Sequence, residues 1–342
     1  MTRFLPRLRL FVVAAILVAA TFGNVFSQTP TAPEPSELDP VIKLVREKKS
    51  KEALDALKQK VKENKNNAEA WYYLGVVYLQ IADFKKAADA FRDAIKLKPT
   101  PDARAHSGYA YALLRRGKLD DALQEARKSI SIDPKNIDAL YTLGVINLRS
   151  GNKEEALKNA DALIALEPGL AEAYLIKSQA FVSINGDAIM RPAAEPKGER
   201  ISRYRSAAEA IEQYLKLSKA PAEAQLWKDQ LESLKFYVAD KSGTPEQVFI
   251  GRDVTTKARL ISKPEPVYPR TARNEMVTGT VVLRCVFAAD GTVKHVLVLQ
   301  SLPYGLTDVS VAAAKKIKFV PATIDGKPVS MFMQLEYNFN LY

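Results

Sequence analysis

The chain has 342 residues, of which 47% are hydrophobic, a fraction that can bury the cores of one large or two ordinary domains. Its formal net charge of +11 is spread along the whole length, whereas nucleic-acid binders concentrate Lys and Arg in one tract or on one face. We therefore do not expect a nucleic-acid partner. The single cysteine, Cys285, excludes an internal disulfide, and His106 and His295 lie far apart, so no metal or cofactor is predicted.

The first 27 residues have the layout of a secretory signal peptide. Arg3, Arg7 and Arg9 precede an apolar run over residues 10–20. This run is shorter than the roughly 20 residues needed to span a bilayer comfortably, which favours a cleaved signal over a retained inner-membrane anchor. In both cases we expect the rest of the chain in the periplasm or elsewhere in the cell envelope, because positive charge stays on the cytoplasmic side.

A repeated pattern follows the signal. Residues 28–38 are Pro-rich and are predicted to be an extended linker. Residues 39–240 are predicted to form a helical solenoid of about five repeats with a closing helix, because one pattern recurs along them. Pro99, Pro134 and Pro168 end three successive copies and lie 35 and 34 residues apart.

The clearest copy begins at Ala68. Its small residues let two helices approach closely, and its aromatic residues fill the space between neighbouring helices. The pattern resembles that of the tetratricopeptide repeat family, which stacks helix pairs into a curved solenoid. The residues that carry the resemblance are Trp71, Leu74, Gly75, Tyr78, Ala87, Phe91, Ala94 and Pro99.

The resemblance implies a concave groove that takes peptides or protein segments, lined by the first helix of each repeat. The alternative for any one of these residues is that it only covers the edge of the helix packing. The positions implied for the groove form an aromatic and apolar surface with two cations, namely Tyr72, Val76, Leu79, Tyr111, Arg115, Tyr141 and Arg149.

The last repeat is interrupted. Its second helix is predicted at residues 204–218, and residues 184–201 before it are predicted to be an inserted surface loop. Such a loop is more often a tolerated excursion than a contact site. Residues 222–238 are predicted to be the closing helix.

After residue 242 the apolar spacing changes from helical to alternating, which is typical of half-buried strands. Asp290-Gly291 is a strong hairpin signal, because this pair tolerates positive φ. The alternation of Cys285 with apolar neighbours predicts a small buried side chain rather than a reactive thiol, and both histidines are predicted to be structural. We predict strands at residues 280–289 and 292–301, a helix at residues 306–318 and a last strand at residues 329–342.

The C-terminal region also resembles a known family. Segments 264–273, 277–294, 300–306, 319–330 and 337–339 follow the order and spacing of the TonB C-terminal domain. The resemblance implies a small β-α-β-β-α-β domain over residues 263–342, after a linker over residues 241–262. The matching motif positions, which we interpret as structural, are Tyr268, Pro269, Arg273, Gly279, Phe319 and Pro321.

In the TonB family this domain meets partners at the outer membrane, where an exposed strand edge pairs with an extended peptide of a receptor. The resemblance implies that the final strand supplies this edge. The more polar face of that strand carries Gln334, Glu336, Asn338 and Asn340.

The predicted architecture is therefore mainly α with a C-terminal α+β domain. We expect a non-catalytic adaptor, with the repeats binding a protein or peptide and the TonB-like domain docking on an outer-membrane or periplasmic partner. The alternative is a divergent TonB-type energy transducer for outer-membrane transport, which would keep its N-terminal segment in the inner membrane. An enzyme is not expected, because the sequence has no Gly-rich phosphate loop, nucleophile elbow or metal-spaced His/Cys set.

Overall fold

The computed structural model describes residues 37–98, 100–190, 197–218, 224–239, 243–244 and 246–341. The predicted signal peptide at 1–27, the linker up to residue 36 and Pro99 lie outside these ranges. Within them, no helix has both the length and the apolar character needed to cross a membrane. The described residues form two compact units, one of residues 37–150 and 158–172, the other of 151–157 and 173–341 with the gaps given above.

The first unit consists of packed helix pairs. In three repeats the first helix starts at a side-chain cap. The side-chain oxygen of the capping residue, which is Asn67, Asp102 or Asn136, accepts a hydrogen bond from a backbone N–H two or three residues further on. A cap of this kind stabilises a helix by about 1 kcal/mol. The helices are α1 (Asp39–Arg46), α2 (Ser50–Glu63), α3 (Ala68–Gln80), α4 (Phe84–Leu97), α5 (Ala103–Arg115), α6 (Leu119–Ile132), α7 (Ile137–Arg149) and α8 (Lys153–Leu166), whose first turn belongs to the second unit.

The ring of Phe91 explains why small residues recur in the repeats. Phe91 is fully buried, and a Cβ on Gly75 would lie 2.8 Å from its ring. A Cβ on Gly108 of the next repeat would lie 2.5 Å from the same ring. One aromatic side chain therefore requires a glycine on α3 and another on α5.

The second unit begins with three helices, α9 (Ala171–Met190), α10 (Lys197–Leu217) and α11 (Ala224–Val238). The prediction of an inserted loop over 184–201 was wrong at both ends, because α9 continues to Met190 and α10 already starts at Lys197. Residues 191–196 of the predicted loop lie outside the described residues. Asn185 is fully buried and its side chain donates to the Arg200 carbonyl at 2.9 Å, tying the end of α9 to α10. A Cβ on Gly186 would lie 3.3 Å from a methyl carbon of Leu299, so this glycine allows α9 to approach β4 closely.

The strand-rich part of the second unit has the predicted order of elements. Its main sheet has the strand order β1-β7-β3-β4, with β3 antiparallel to both β4 and β7, while β6 pairs with the start of β7 and β2 pairs with β5. The elements are β1 (Val248–Phe249), β2 (Arg259–Ser262), α12 (Arg270–Asn274), β3 (Gly279–Phe287), β4 (Val293–Gln300), α13 (Leu306–Ala314), β5 (Lys318–Val320), β6 (Ala322–Ile324) and β7 (Lys327–Phe339).

Residues 241–262 were predicted to be a linker, but two of these strands lie within that segment. Val248–Phe249 pairs in parallel with β7, and Arg259–Ser262 pairs with β5. These strands are two and four residues long, too short for an alternating pattern to stand out in the sequence.

One face of the sheet packs against α12 and α13. Alternate residues of β3, among them Leu283 and Cys285, are fully buried in this core, which confirms the predicted burial of the cysteine. Burial raises the pKa of the Cys285 thiol to about 12. The rings of Phe287 and Phe319 stack with centroids 4.1 Å apart in the same core.

The opposite face of the sheet is covered by α11. The ring of Tyr237 stacks on Phe332 of β7 at 5.4 Å, and the ring of Phe236 stacks on His295 of β4 at 3.7 Å. The last helices of the repeat region and the TonB-like sheet therefore form one compact unit.

Candidate functional site: a repeat groove and a sheet edge

The predicted groove residues lie on the first helices of the repeats. Their apolar and aromatic members, Tyr72, Val76, Leu79, Tyr111 and Tyr141, are each at most 4% exposed. Burial raises the pKa of the Tyr72 and Tyr141 hydroxyls well above the ordinary value.

The two predicted cations of the groove, Arg115 and Arg149, are partly exposed. The Arg115 guanidinium lies 4.2 Å from the ring centroid of Phe84, and its Nη1 donates to the Tyr111 hydroxyl at 2.9 Å. Aromatic faces favour such cations through their quadrupole. Arg115 and Tyr111 are therefore held together, as their spacing of one helical turn allows.

Sequence reasoning missed two charged residues of this helix face, Arg104 and Asp138. The Arg104 guanidinium lies 4.9 Å from the ring centroid of Tyr72 and donates twice to the Asp102 carboxylate, at 3.3 and 3.1 Å. Together with Lys98, this guanidinium holds the pKa of Asp102 at about 2. The signal that could have found both residues is their shared place as second residue of a first helix.

Asp138 has the opposite environment. Its side chain is 9% exposed, and its Oδ1 has no hydrogen-bond partner among the described residues. Burial, with a smaller contribution from Glu167, raises the pKa of this carboxyl to about 8.

The sheet has two outer strands with different surroundings. β4 is closed by side chains of the second unit's helices. The Gln230 carboxamide donates to the Val296 carbonyl and accepts from the Val298 N–H, both at 2.9 Å. The hydroxyls of Ser183 and Tyr237 donate to the carbonyls of Leu299 and His295, at 2.6 and 3.2 Å.

β7 is more open on the side away from β3. β1 pairs with Ser330 and Met331, and β6 pairs with the preceding residues of β7, whereas residues 332–339 have no described strand on the side away from β3. Lys263 Nζ donates to the Glu336 carbonyl at 2.8 Å from that side. Because backbone groups alternate in direction along a strand, the N–H and carbonyl groups of Gln334 and Asn338 also face outward.

The four predicted edge residues follow this alternation. Glu336, Asn338 and Asn340 are exposed and Gln334 is partly exposed. The side chain of Asn338 accepts a hydrogen bond from the Thr280 hydroxyl at 2.6 Å, across the β3–β7 pair. Gln334, Glu336 and Asn338 thus lie on β7 along the edge without a described partner strand, and Asn340 directly follows the end of that strand.

The family-motif residues Tyr268 and Gly279 lie beside Phe339, at the C-terminal end of β7. The Tyr268 hydroxyl donates to the Val277 carbonyl, and the Tyr268 ring meets Phe339 edge-on at 5.4 Å. Pro269 caps α12, and the Arg273 guanidinium lies 5.4 Å from the Tyr268 ring centroid. These contacts join α12 to the end of β7.

Gly279 opens β3 with a φ of +139°, a conformation that L side chains rarely adopt. A Cβ there would also lie 3.0 Å from a methyl carbon of Leu302. Phe319 is buried in β5, and Pro321 follows that strand. In the part of the chain that the structure describes, no three His, Cys, Asp or Glu side chains are placed to hold a metal ion.

Comparison with known families identifies both parts of the chain. Residues 45–168 match the family described as the cytochrome c-type biogenesis protein H TPR domain, and residues 264–341 match Gram-negative bacterial TonB protein C-terminal. The chain therefore carries a tetratricopeptide repeat solenoid followed by a TonB C-terminal domain, and both predicted resemblances are confirmed. Domains of these kinds take part in protein–protein interaction, the second in the cell envelope, and are typically non-catalytic adaptor folds.

Individual relatives are distant. BBSome complex member BBS4 of Bos taurus is 28% identical over 127 residues, 37% of this chain and 24% of that protein. The Caenorhabditis elegans tetratricopeptide repeat-containing protein trd-1 is 23% identical over 107 residues, 31% of this chain and 14% of that protein. The matched regions thus span a quarter or less of these relatives.

Some solved structures of other proteins are similar to more than half of this chain. A crystal structure of MamA has 22% identity and a TM-score of 0.43, covering 53% of this chain and 99% of that one. Pseudomonas aeruginosa pilF has 14% identity and a TM-score of 0.45, covering 59% of this chain and 85% of that one.

Proposed function

We propose that this protein is an exported adaptor of the cell envelope. Its repeats bind one protein or peptide partner, and its TonB-like domain docks on an outer-membrane or periplasmic partner by strand pairing. The observation that carries the proposal is the difference between the two outer strands, since β4 is closed by Gln230 while most of β7 has no described strand on its outer side. An extended peptide added to β7 would satisfy its backbone groups.

The contacts of Lys263 support this choice of edge. Its ammonium group donates to the Glu336 carbonyl and lies 4.5 Å from the ring centroid of Tyr337. A lysine side chain is flexible, so it can leave this carbonyl when a peptide N–H takes its place. The docking segment proposed is residues 332–339, with backbone contacts at Gln334, Glu336 and Asn338.

The test uses the full chain in its own envelope, with photoreactive benzoylphenylalanine in place of Asn338. We expect crosslinks to an envelope protein from this position and none when the same group replaces the exposed Asp325. Gln334→Pro removes an outward N–H and should reduce the crosslink about tenfold, because proline cannot donate to a strand pair. Gln334→Ala, which keeps the N–H, should leave the crosslink unchanged. If Gln334→Pro gave the same crosslink yield from position 338 as the original chain, strand pairing at β7 would be refuted.

The alternative role, a divergent energy transducer, is supported by the TonB C-terminal match. It requires an N-terminal segment that stays in the inner membrane, because a soluble chain cannot transmit force. Fractionation separates the two roles. A chain released with the soluble periplasmic proteins supports the adaptor, and a membrane-held chain with an intact N-terminus supports the transducer.

A further inference from the structure

The first helices of three successive repeats place a charged residue at the same position. α3, α5 and α7 begin at Ala68, Ala103 and Ile137, so the second residues are Glu69, Arg104 and Asp138. Residues three apart share one face of a helix. Glu69 and Asp138 therefore lie on the same helix faces as the groove residues Tyr72 and Tyr141.

The first two charges of this row are neutralised by neighbours. Arg104 is held by the Asp102 carboxylate, and its Nη2 lies 3.7 Å from the Glu69 carboxylate. Glu69 also lies 3.9 Å from Lys98 Nζ. Both residues therefore belong to one ion-pair network of the repeats.

Asp138 has no ion-pair partner among the described residues, although it is the most deeply buried of the three. The Tyr141 hydroxyl, one turn further along α7, is also buried without a hydrogen-bond partner in the described part of the chain. The Asp138 carboxyl is close enough to Tyr72 to contribute to the raised pKa of that hydroxyl. A buried carboxyl without a donor is unfavourable, so stability does not explain its presence.

Resting on the proposed adaptor function, we propose that Asp138 and the Tyr141 hydroxyl form the recognition site for a cationic group, the side chain of a lysine or arginine in an extended peptide bound by the repeats. A cation bound beside this buried carboxyl favours its ionised form, which is an acceptor only and takes its strongest hydrogen bonds from ammonium or guanidinium donors. The neighbouring tyrosine rings also favour a cation, because the face of an aromatic ring attracts positive charge. The occupant is thus a basic peptide segment.

The binding test uses the full chain and three synthetic peptides in calorimetric titrations. All are acetylated and amidated valine-rich hexapeptides that differ at one central residue, which is lysine, glutamine or glutamate. We expect the lysine peptide to bind about tenfold more tightly than the glutamine peptide, and the glutamate peptide to bind least. A fourth peptide, with glutamine and a free amino terminus, tests the other source of the same charge. Tighter binding of that peptide than of the lysine peptide would overturn the assignment to a side chain.

Two variants locate the effect. Asp138→Asn keeps the shape of the side chain and should abolish the preference for lysine while leaving the glutamine peptide unaffected. Glu69→Gln changes the equivalent position of the α3 repeat and should keep the preference. Thermal melting of both variants establishes that they are folded.

The proposal is overturned if the original chain shows no preference for lysine, or if Asp138→Asn retains that preference. Neither result bears on the crosslink at position 338, because that measurement reports the sheet edge. Failure of this site is therefore distinguishable from failure of the adaptor function.

Discussion

The side chain of Gln230 on α11 bonds to β4 as a residue of an adjacent parallel strand would. Its oxygen accepts from the Val298 N–H and its nitrogen donates to the Val296 carbonyl, both at 2.9 Å. An edge strand with unpaired groups is a template for association with other chains. A helix side chain therefore closes this edge from within the same compact unit.

Removal of this carboxamide tests the closure. Gln230→Ala leaves the Val298 N–H and the Val296 carbonyl without their partner and should lower the free energy of unfolding by about 1–3 kcal/mol. Hydrogen exchange of the Val298 amide should become at least about tenfold faster, because opening then requires less free energy. Gln225→Ala, at an exposed position of the same helix, is the control. Unchanged protection of the Val298 amide in Gln230→Ala would show that the bond does not hold the edge.

The Phe91 ring makes a second prediction possible. Gly108→Ala should lower the free energy of unfolding by about 1–3 kcal/mol, because its Cβ would lie 2.5 Å from the ring of a fully buried residue. Gly169→Ala should have a much smaller effect, since nothing lies within 4 Å of a Cβ there. Urea titration followed by circular dichroism measures both. A combined Phe91→Leu and Gly108→Ala chain should recover part of the loss, and no recovery would mean that the ring is not the cause.

The buried carboxyl of Asp138 makes stability depend on pH. Burial raises its pKa to about 8 in the folded chain, well above the ordinary value of 3.8. Between these pH values the folded state binds the extra proton, so the contribution of Asp138 to stability is greatest at low pH and is lost as the pH rises towards 8. Asp138→Asn should therefore melt several degrees above the original chain at pH 8.5, by about 4 °C or more, and show little difference at pH 4. The exposed substitution Asp121→Asn is the control, and equal melting shifts at both pH values would contradict the assignment.

The Cys285 thiol should be unreactive in the folded protein. It is fully buried, and burial raises its pKa to about 12, so the thiolate that reacts with alkylating reagents is scarce. Labelling with iodoacetamide at pH 8 should be at least about a hundredfold slower than in urea, where the group is exposed. Rapid labelling without denaturant would show that β3 opens locally. Cys285→Ala provides the blank for the assay.

The central repeats could be predicted because their signals are local. Each of α3, α5 and α7 combines a capping residue with a helical run of apolar residues, and small residues recur where Phe91 packs. The hairpin at Asp290-Gly291 is local in the same sense, since two alternating runs flank a turn. The final strand follows from alternation alone.

The remaining features depend on distant parts of the chain. The helical course of residues 184–190 goes with a bond from Asn185 to Arg200, which no spacing rule indicates. The two short strands before residue 263 form only because they pair with β7 and β5. The buried state of Asp138 and the bonds of Gln230 to β4 also arise from tertiary packing, so sequence patterns did not identify either residue.

The cover that α11 provides for the sheet limits how this region can be recombined. A chimera that takes only the residues after 240 would contain the strands but lack the rings of Phe236 and Tyr237, which stack on them. Both partners of those stacks would then meet water, and the graft would be prone to aggregate. A transferable fragment would start near residue 173, where the continuous part of the second unit begins, so that the strands keep the helices that shield them.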